Sequence, residues 1–172
     1  KAIYKIDEKY DYLRKDIAIT ISDENVRFKA IDLVKENMYK ANIAITISDE
    51  NIRFKAINLV KDDMYKSNIA ITIKDENIRF KAIVLIKEDM YKANIAKSIK
   101  MDQKLKLEAM DKIENTYYRK KVAISLEDPK DKLKALEKFK ELKDKSEIVL
   151  SLFSEEEIME LSERTFPKEK IA

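Results

Sequence analysis

Four tyrosines in this chain are each followed by a base: Tyr39 and Lys40, Tyr65 and Lys66, Tyr91 and Lys92, Tyr118 and Arg119. Aromatic rings interleaved with positive charge at a regular spacing could stack the bases of a single nucleic-acid strand while the cations track its phosphates. The same row could hold an extended peptide. A purely structural role is also open, because amphipathic rings wedge between helices with only the hydroxyl reaching water. A second row, Arg27, Arg53 and Arg79, could serve as a rail for anions or could bond to the aspartates that recur with it. The planar guanidinium fork suits either task. The carboxylate pairs Asp62 with Asp63 and Glu88 with Asp89 could approach a hard cation, but sequential neighbours on a helix point different ways. No metal site is expected from them.

What the chain lacks narrows the chemistry further. Among 172 residues there is no histidine, cysteine, glycine or tryptophan. Imidazole bases, thiolate nucleophiles, the usual zinc ligands and glycine-rich phosphate loops are all excluded. A hydrolase built on carboxylates alone would need an inward-facing acid with a raised pKa, and no position stands out as one. A non-enzyme without a cofactor is therefore expected. The 36 lysines and arginines nearly balance 33 aspartates and glutamates, so the net charge of +3 describes a solvated surface rather than a polyanion magnet. No apolar run approaches the roughly 20 residues that cross a bilayer, and no leader is visible, so a soluble, intracellular and cytoplasmic setting is expected.

These residues recur because the chain itself recurs. The segment from Asp23 to Ser48 is repeated almost letter for letter from Asp49 and again from Asp75. A period of that size signals stacked units that each bury a face against the next. Beyond Lys100 the pattern slips by one residue, with Leu105, Leu107, Ala109 and Met110 in the places of Ile78, Phe80, Ala82 and Ile83, which marks an insertion near Met101. The chain thus divides as one repeat domain over 1–172: a divergent unit 1–22, repeats 23–48, 49–74, 75–101, 102–127 and 128–153, and a partial unit 154–172. Divergent ends suit a solenoid whose terminal units must turn a polar face outward.

The elements that carry the rows follow from composition and period. With no glycine and only Pro129 and Pro167, tight hairpins at positive φ are disfavoured, whereas good helix formers abound. In the middle unit Ile52, Ala56, Leu59 and Val60 recur at helical spacing, with Phe54 and Ile57 widening the face and Lys55, Asn58 and Asp62 on the wet side. Ser48 is positioned as a hydroxyl N-cap ahead of Asp49 and Glu50. The second half of the unit reads two ways. Ile69, Ile71 and Ile73 alternate like a strand, while Tyr65, Ile69 and Ile73, with Met64 and Ile71 beside them, suit a helix that is apolar nearly all round and so buried. An all-α solenoid of about five two-helix units is expected, with a β/α leucine-rich-repeat-like solenoid as the alternative. The asparagine rows 25, 51, 77 and 42, 68, 94 are expected to satisfy backbone groups near helix ends.

Asp49, Ile52, Arg53 and Ala56, echoed by Asp23, Val26, Arg27 and Ala30 and by Asp75, Ile78, Arg79 and Ala82, resemble the Asp-x-x-Val-Arg-x-x-Ala signature of HEAT and HEAT-like repeats, in the armadillo/HEAT class. Asp128 and Pro129 match the Asp-Pro opening common in that family, although Lys132 stands where its arginine would be. The resemblance implies a right-handed α-solenoid used as a binding scaffold. It also implies an inter-repeat ladder in which Asp23, Asp49 and Asp75 pair with Arg27, Arg53 and Arg79. The expected function is non-catalytic binding of a protein or peptide along the row of tyrosines, Tyr39, Tyr65, Tyr91 and Tyr118. Nucleic-acid binding and end-to-end self-association are the alternatives.

Overall fold

The computed structural model of the chain describes residues 6–154 and Glu157. The start of the divergent first unit, 1–5, and most of the partial unit 154–172 lie outside the described residues. After a 3-10 turn at Glu8–Tyr10, eleven α-helices follow among the described residues: α1 Asp11–Ile19, α2 Glu24–Ile31, α3 Asn37–Ile45, α4 Glu50–Ile57, α5 Asp63–Ile71, α6 Glu76–Ile83, α7 Asp89–Ser98, α8 Gln103–Met110, α9 Thr116–Ile124, α10 Pro129–Leu136 and α11 Leu142–Leu150. There is no strand among the described residues, which removes the leucine-rich-repeat-like alternative. The fold is all-α, and each full repeat contributes two short helices.

Local chemistry explains how a chain without glycine turns so many corners. Every described α-helix but α7, whose C-cap Ile99 is extended, ends in a right-handed C-cap, and the turn tightens into i→i−3 bonds such as Ile47 N–H to Ala44 O at 3.1 Å and Val60 N–H to Ile57 O at 3.3 Å. An extended residue then opens the next helix. No described residue has positive φ, so no corner requires glycine. The openings of α2, α4 and α6 are capped by Asp23, Asp49 and Asp75, whose Oδ1 atoms accept the first free N–H groups at 2.8–3.2 Å. Ser48, expected as the cap of α4, is displaced from that role by Asp49, because a carboxylate at the positive helix end is the stronger acceptor.

The helices lie in two rows. The first helices of the units (α2, α4, α6, α8, α10) pack each on the next, the second helices (α1, α3, α5, α7, α9, α11) do the same, and contact is denser along the second row. Alanine and isoleucine alternate in the buried seam: Ala30 and Ile31, Ala56 and Ile57, Ala82 and Ile83 from the first helices, Ala44 and Ile47, Ala70 and Ile73, Ala96 and Ile99 from the second. The small residue lets backbones approach and the branched one fills the space that remains. Phe28, Phe54 and Phe80 pack partly buried against this core. The extra residue at the third boundary is absorbed in a loop, where Met101 is 89% exposed.

One expectation about the second helices fails. They are not apolar all round and buried: Met64 is 36% and Ile71 42% exposed, and their counterparts Met38 and Ile45 behave alike. The side through Ser67, Ile69, Ala70 and Ile73 faces the core, with Tyr65 half-buried against it.

Candidate functional site on the second-helix face

The four tyrosines of the sequence row sit on α3, α5, α7 and α9, half-buried against the core. The bases beside them are largely engaged within the fold. Lys40 Nζ donates to Leu59 O and Lys66 Nζ to Leu85 O, both at 3.1 Å in the next unit. Lys66 also reaches Asp63 at 3.2 Å, Lys92 bonds Asp89 at 2.8 Å, and Arg119 donates from Nε and Nη2 to Ile113 O at 2.9 and 2.6 Å. Cations at the carbonyl ends of helices are where the helix dipole favours them. The Tyr91 side chain stands among acids. Burial pushes the Tyr91 hydroxyl above its ordinary value, and the charges of Glu88, Asp62 and Asp63 push the same way. A cleft of about 400 Å³ beside it is lined by Glu88, Asp89, Met90, Lys92, Glu114 and Tyr118, among others.

The ladder expected between aspartate and arginine takes another form. The arginines do tie neighbouring units, but through carbonyls. Arg27 donates from Nε and Nη2 to Ile21 O at 3.0 and 2.5 Å and from Nη1 to Thr46 O at 2.5 Å, joining the ends of α1 and α3. Arg53 does the same for Ile47 O and Thr72 O, and Arg79 reaches Ser98 O. The aspartates are occupied as helix caps. In the fourth and fifth units Lys106 Nζ bonds Ser125 O at 2.9 Å and Lys132 Nζ bonds Ser151 O at 2.6 Å, keeping one of the arginine's contacts. Lys106 is only 1% exposed, and its burial pushes its pKa down.

Carboxylates build a second set of ties, and these the sequence reasoning missed. Glu24 accepts N–H bonds from Ser48 and Asp49 at 2.6 and 2.9 Å, Glu50 from Lys74 and Asp75 at 2.7 and 3.0 Å, and Glu76 from Lys100, Met101 and Asp102. On the other row Asp11 accepts from Lys35 and Glu36, Asp63 from Lys87 and Glu88, and Asp89 from Glu114 and Asn115. Asn37 and Gln103 make the uncharged version, to Lys61 N and Glu127 N. Each unit thus caps the opening loops of the next. For Glu24, Glu50 and Glu76 the signal lay in their place directly after the capping Asp23, Asp49 and Asp75.

Set apart from these ties is a strip that the fold leaves unused. Met38, Asn42 and Ile45 on α3 lie four and three residues apart, on one helix side, and all are exposed. Met64, Asn68 and Ile71 repeat the arrangement on α5, and Met90 and Asn94 begin it on α7 before Lys97 replaces the isoleucine. The six asparagines of the two rows are exposed, and none makes a side-chain hydrogen bond among the described residues, so they do not satisfy backbone groups as expected. The strip is flanked by Tyr12, Asp16 and Ile19 on α1 and by Tyr117 and Lys121 on α9, where Lys121 lies 5.4 Å from the Tyr117 ring centre. Among the described residues there is no cluster of three metal-ligating side chains and no helix long and apolar enough to cross a membrane. Comparison with known proteins finds no counterpart: no family model, curated protein or solved structure matches the chain.

Proposed function

We propose that this chain is a non-catalytic, HEAT-like repeat scaffold that binds a protein or peptide along the face of its second helices. The observation that carries the reading is the recurrence of Met38, Asn42 and Ile45 as Met64, Asn68 and Ile71: apolar groups that reach solvent beside carboxamides that make no side-chain hydrogen bond among the described residues. Flexible thioethers beside apolar and amide groups suit a surface that adapts to a partner. The right-handed superhelix implied by the HEAT resemblance belongs to the same proposal.

Nucleic-acid binding along the tyrosine row is the weaker reading, for a specific reason. Phosphate tracking needs free cations, and Lys40, Lys66 and Arg119 donate to carbonyls while Lys92 pairs with Asp89. The acids that raise the Tyr91 hydroxyl would also repel phosphate. The test is capture of partners on the immobilised chain at low and high salt, with and without nuclease, beside the variants Met64→Lys and Tyr65→Ala. A nuclease-resistant, weakly salt-dependent protein partner lost with Met64→Lys supports the scaffold. A signal that vanishes with nuclease transfers the function to nucleic acid.

A further inference from the structure

A receptor that repeats itself is matched by a ligand that repeats at the same interval, and the second-helix face sets that interval. Packed helices stand about 8–10 Å apart. The small residues Ala41, Ser67 and Ala93, all buried on α3, α5 and α7, permit close approach, and Ser67 Oγ lies 3.4 Å from Tyr91 O of the neighbouring helix. A β-strand returns a side chain to the same side every roughly 6–7 Å, out of step with the helices. A polyproline II helix returns one every three residues, about 9 Å, and stays in step.

Charge narrows the ligand further. Charged residues make up 40% of the chain, yet the exposed positions from Met38 to Ile45 are Met38, Asn42 and Ile45, and those from Met64 to Ile71 are Met64, Asn68 and Ile71. On α7 Lys97 adds one exposed cation, but over α3 and α5 a charged segment would lose hydration with no exposed counter-charge to replace it. An uncharged one would lose little. Polyproline II has no internal hydrogen bonds, so its backbone carbonyls and N–H groups are open to the asparagine amides, which both donate and accept.

Resting on the scaffold reading, we infer that this face takes an uncharged peptide segment in the polyproline II conformation, one tripeptide per unit. An apolar residue at every third position sits between Met38 and Ile45 and between Met64 and Ile71, a third lies against Met90, and Asn42, Asn68 and Asn94 hold the backbone. The probes are labelled peptides of repeating Leu-Pro-Pro triplets and of repeating Leu-Thr pairs, titrated against the full chain by fluorescence anisotropy. The triplet peptide is expected to bind at least about tenfold tighter than the pair peptide. Its affinity falls on the order of 100-fold in the combined Asn42→Ala, Asn68→Ala, Asn94→Ala variant, about one neutral hydrogen bond's worth per site. Those side chains are exposed and unbonded, so the variant's thermal unfolding should match the parent's. Equal or tighter binding of the pair peptide, or an unchanged affinity in the combined variant, overturns the proposal. Panning a random peptide library separates the two levels of the reading. Binders without a three-residue period that are lost with Met64→Lys overturn the period and keep the scaffold, whereas a library with no Met64-dependent binder removes both.

Discussion

Arg53 makes three charge-assisted bonds to two carbonyls that end successive second helices, Ile47 O on one side and Thr72 O on the other. Arg53→Ala leaves both carbonyls without that donor and is expected to cost about 2–4 kcal/mol, read by urea unfolding. Arg53→Lys should cost roughly half as much, because Lys106 and Lys132 show that an ammonium keeps the bond to the later carbonyl alone. The boundary carboxylates predict a pH dependence. Glu24 lies below its ordinary 4.5 through N–H bonds from Asp49 and Ser48. For Glu50, Glu76, Asp63 and Asp89 burial works to raise the value, and the N–H and lysine bonds outweigh it, so they too lie below the ordinary 4.5 or 3.8. A carboxyl that is more acidic folded than unfolded binds fewer protons when folded. Its contribution is complete above the unfolded value and is lost as pH falls through the depressed folded value. Thermal unfolding should therefore hold steady from neutral pH to near 5 and fall steeply below about 4. Glu50→Gln, which retains the acceptor as Gln103 does, should flatten that fall.

At the scale of the helix, the sequence was legible where one property decides and illegible where the neighbour decides. Period and composition identified the first helices and their wet side, and Lys55, Asn58 and Asp62 are exposed as read. The two-helix reading of the isoleucine segments also stands. What period could not tell was how much of an apolar helix faces solvent, since Met64 and Ile71 carry the same hydropathy exposed or buried. Nor could it tell Ser48 from Asp49 as the cap, or find a role for Glu50. That role exists only once the next unit's loop lies over the carboxylate. The tyrosine and lysine row was visible as a repeat, but that Lys40 and Lys66 are drawn to carbonyls of the next unit follows from stacking. The packing makes a graded prediction for stability. Ile57→Ala, at a fully buried position, should cost about 2–5 kcal/mol, and Phe54→Ala, half-buried beside it, about 1–3. If Phe54 proves the costlier by chemical denaturation, the ring carries more of the core than its exposure indicates.

Across the described residues the units form a linear array in which each touches the next, so the energetics should be close to a sum of units and boundaries. Removing residues 49–74 as a block would bring Asp75 behind Ser48, where its N–H can take the place of Asp49's on Glu24 and Arg79 can reach Ile47 O in place of Arg53. The shortened chain should fold cooperatively, with a denaturant slope reduced in proportion to the surface one unit buries. A molten product would show that the units are not interchangeable. The most direct test of the account as a whole concerns which face meets a partner. A photo-crosslinking residue is placed at Asn68 on the second-helix face and, separately, at Lys55 on the first-helix face, and irradiated in lysate of the source cells. The account predicts a discrete, nuclease-resistant protein adduct from position 68 and none from 55. Adducts equal from both positions, confined to 55, or abolished by nuclease would contradict it.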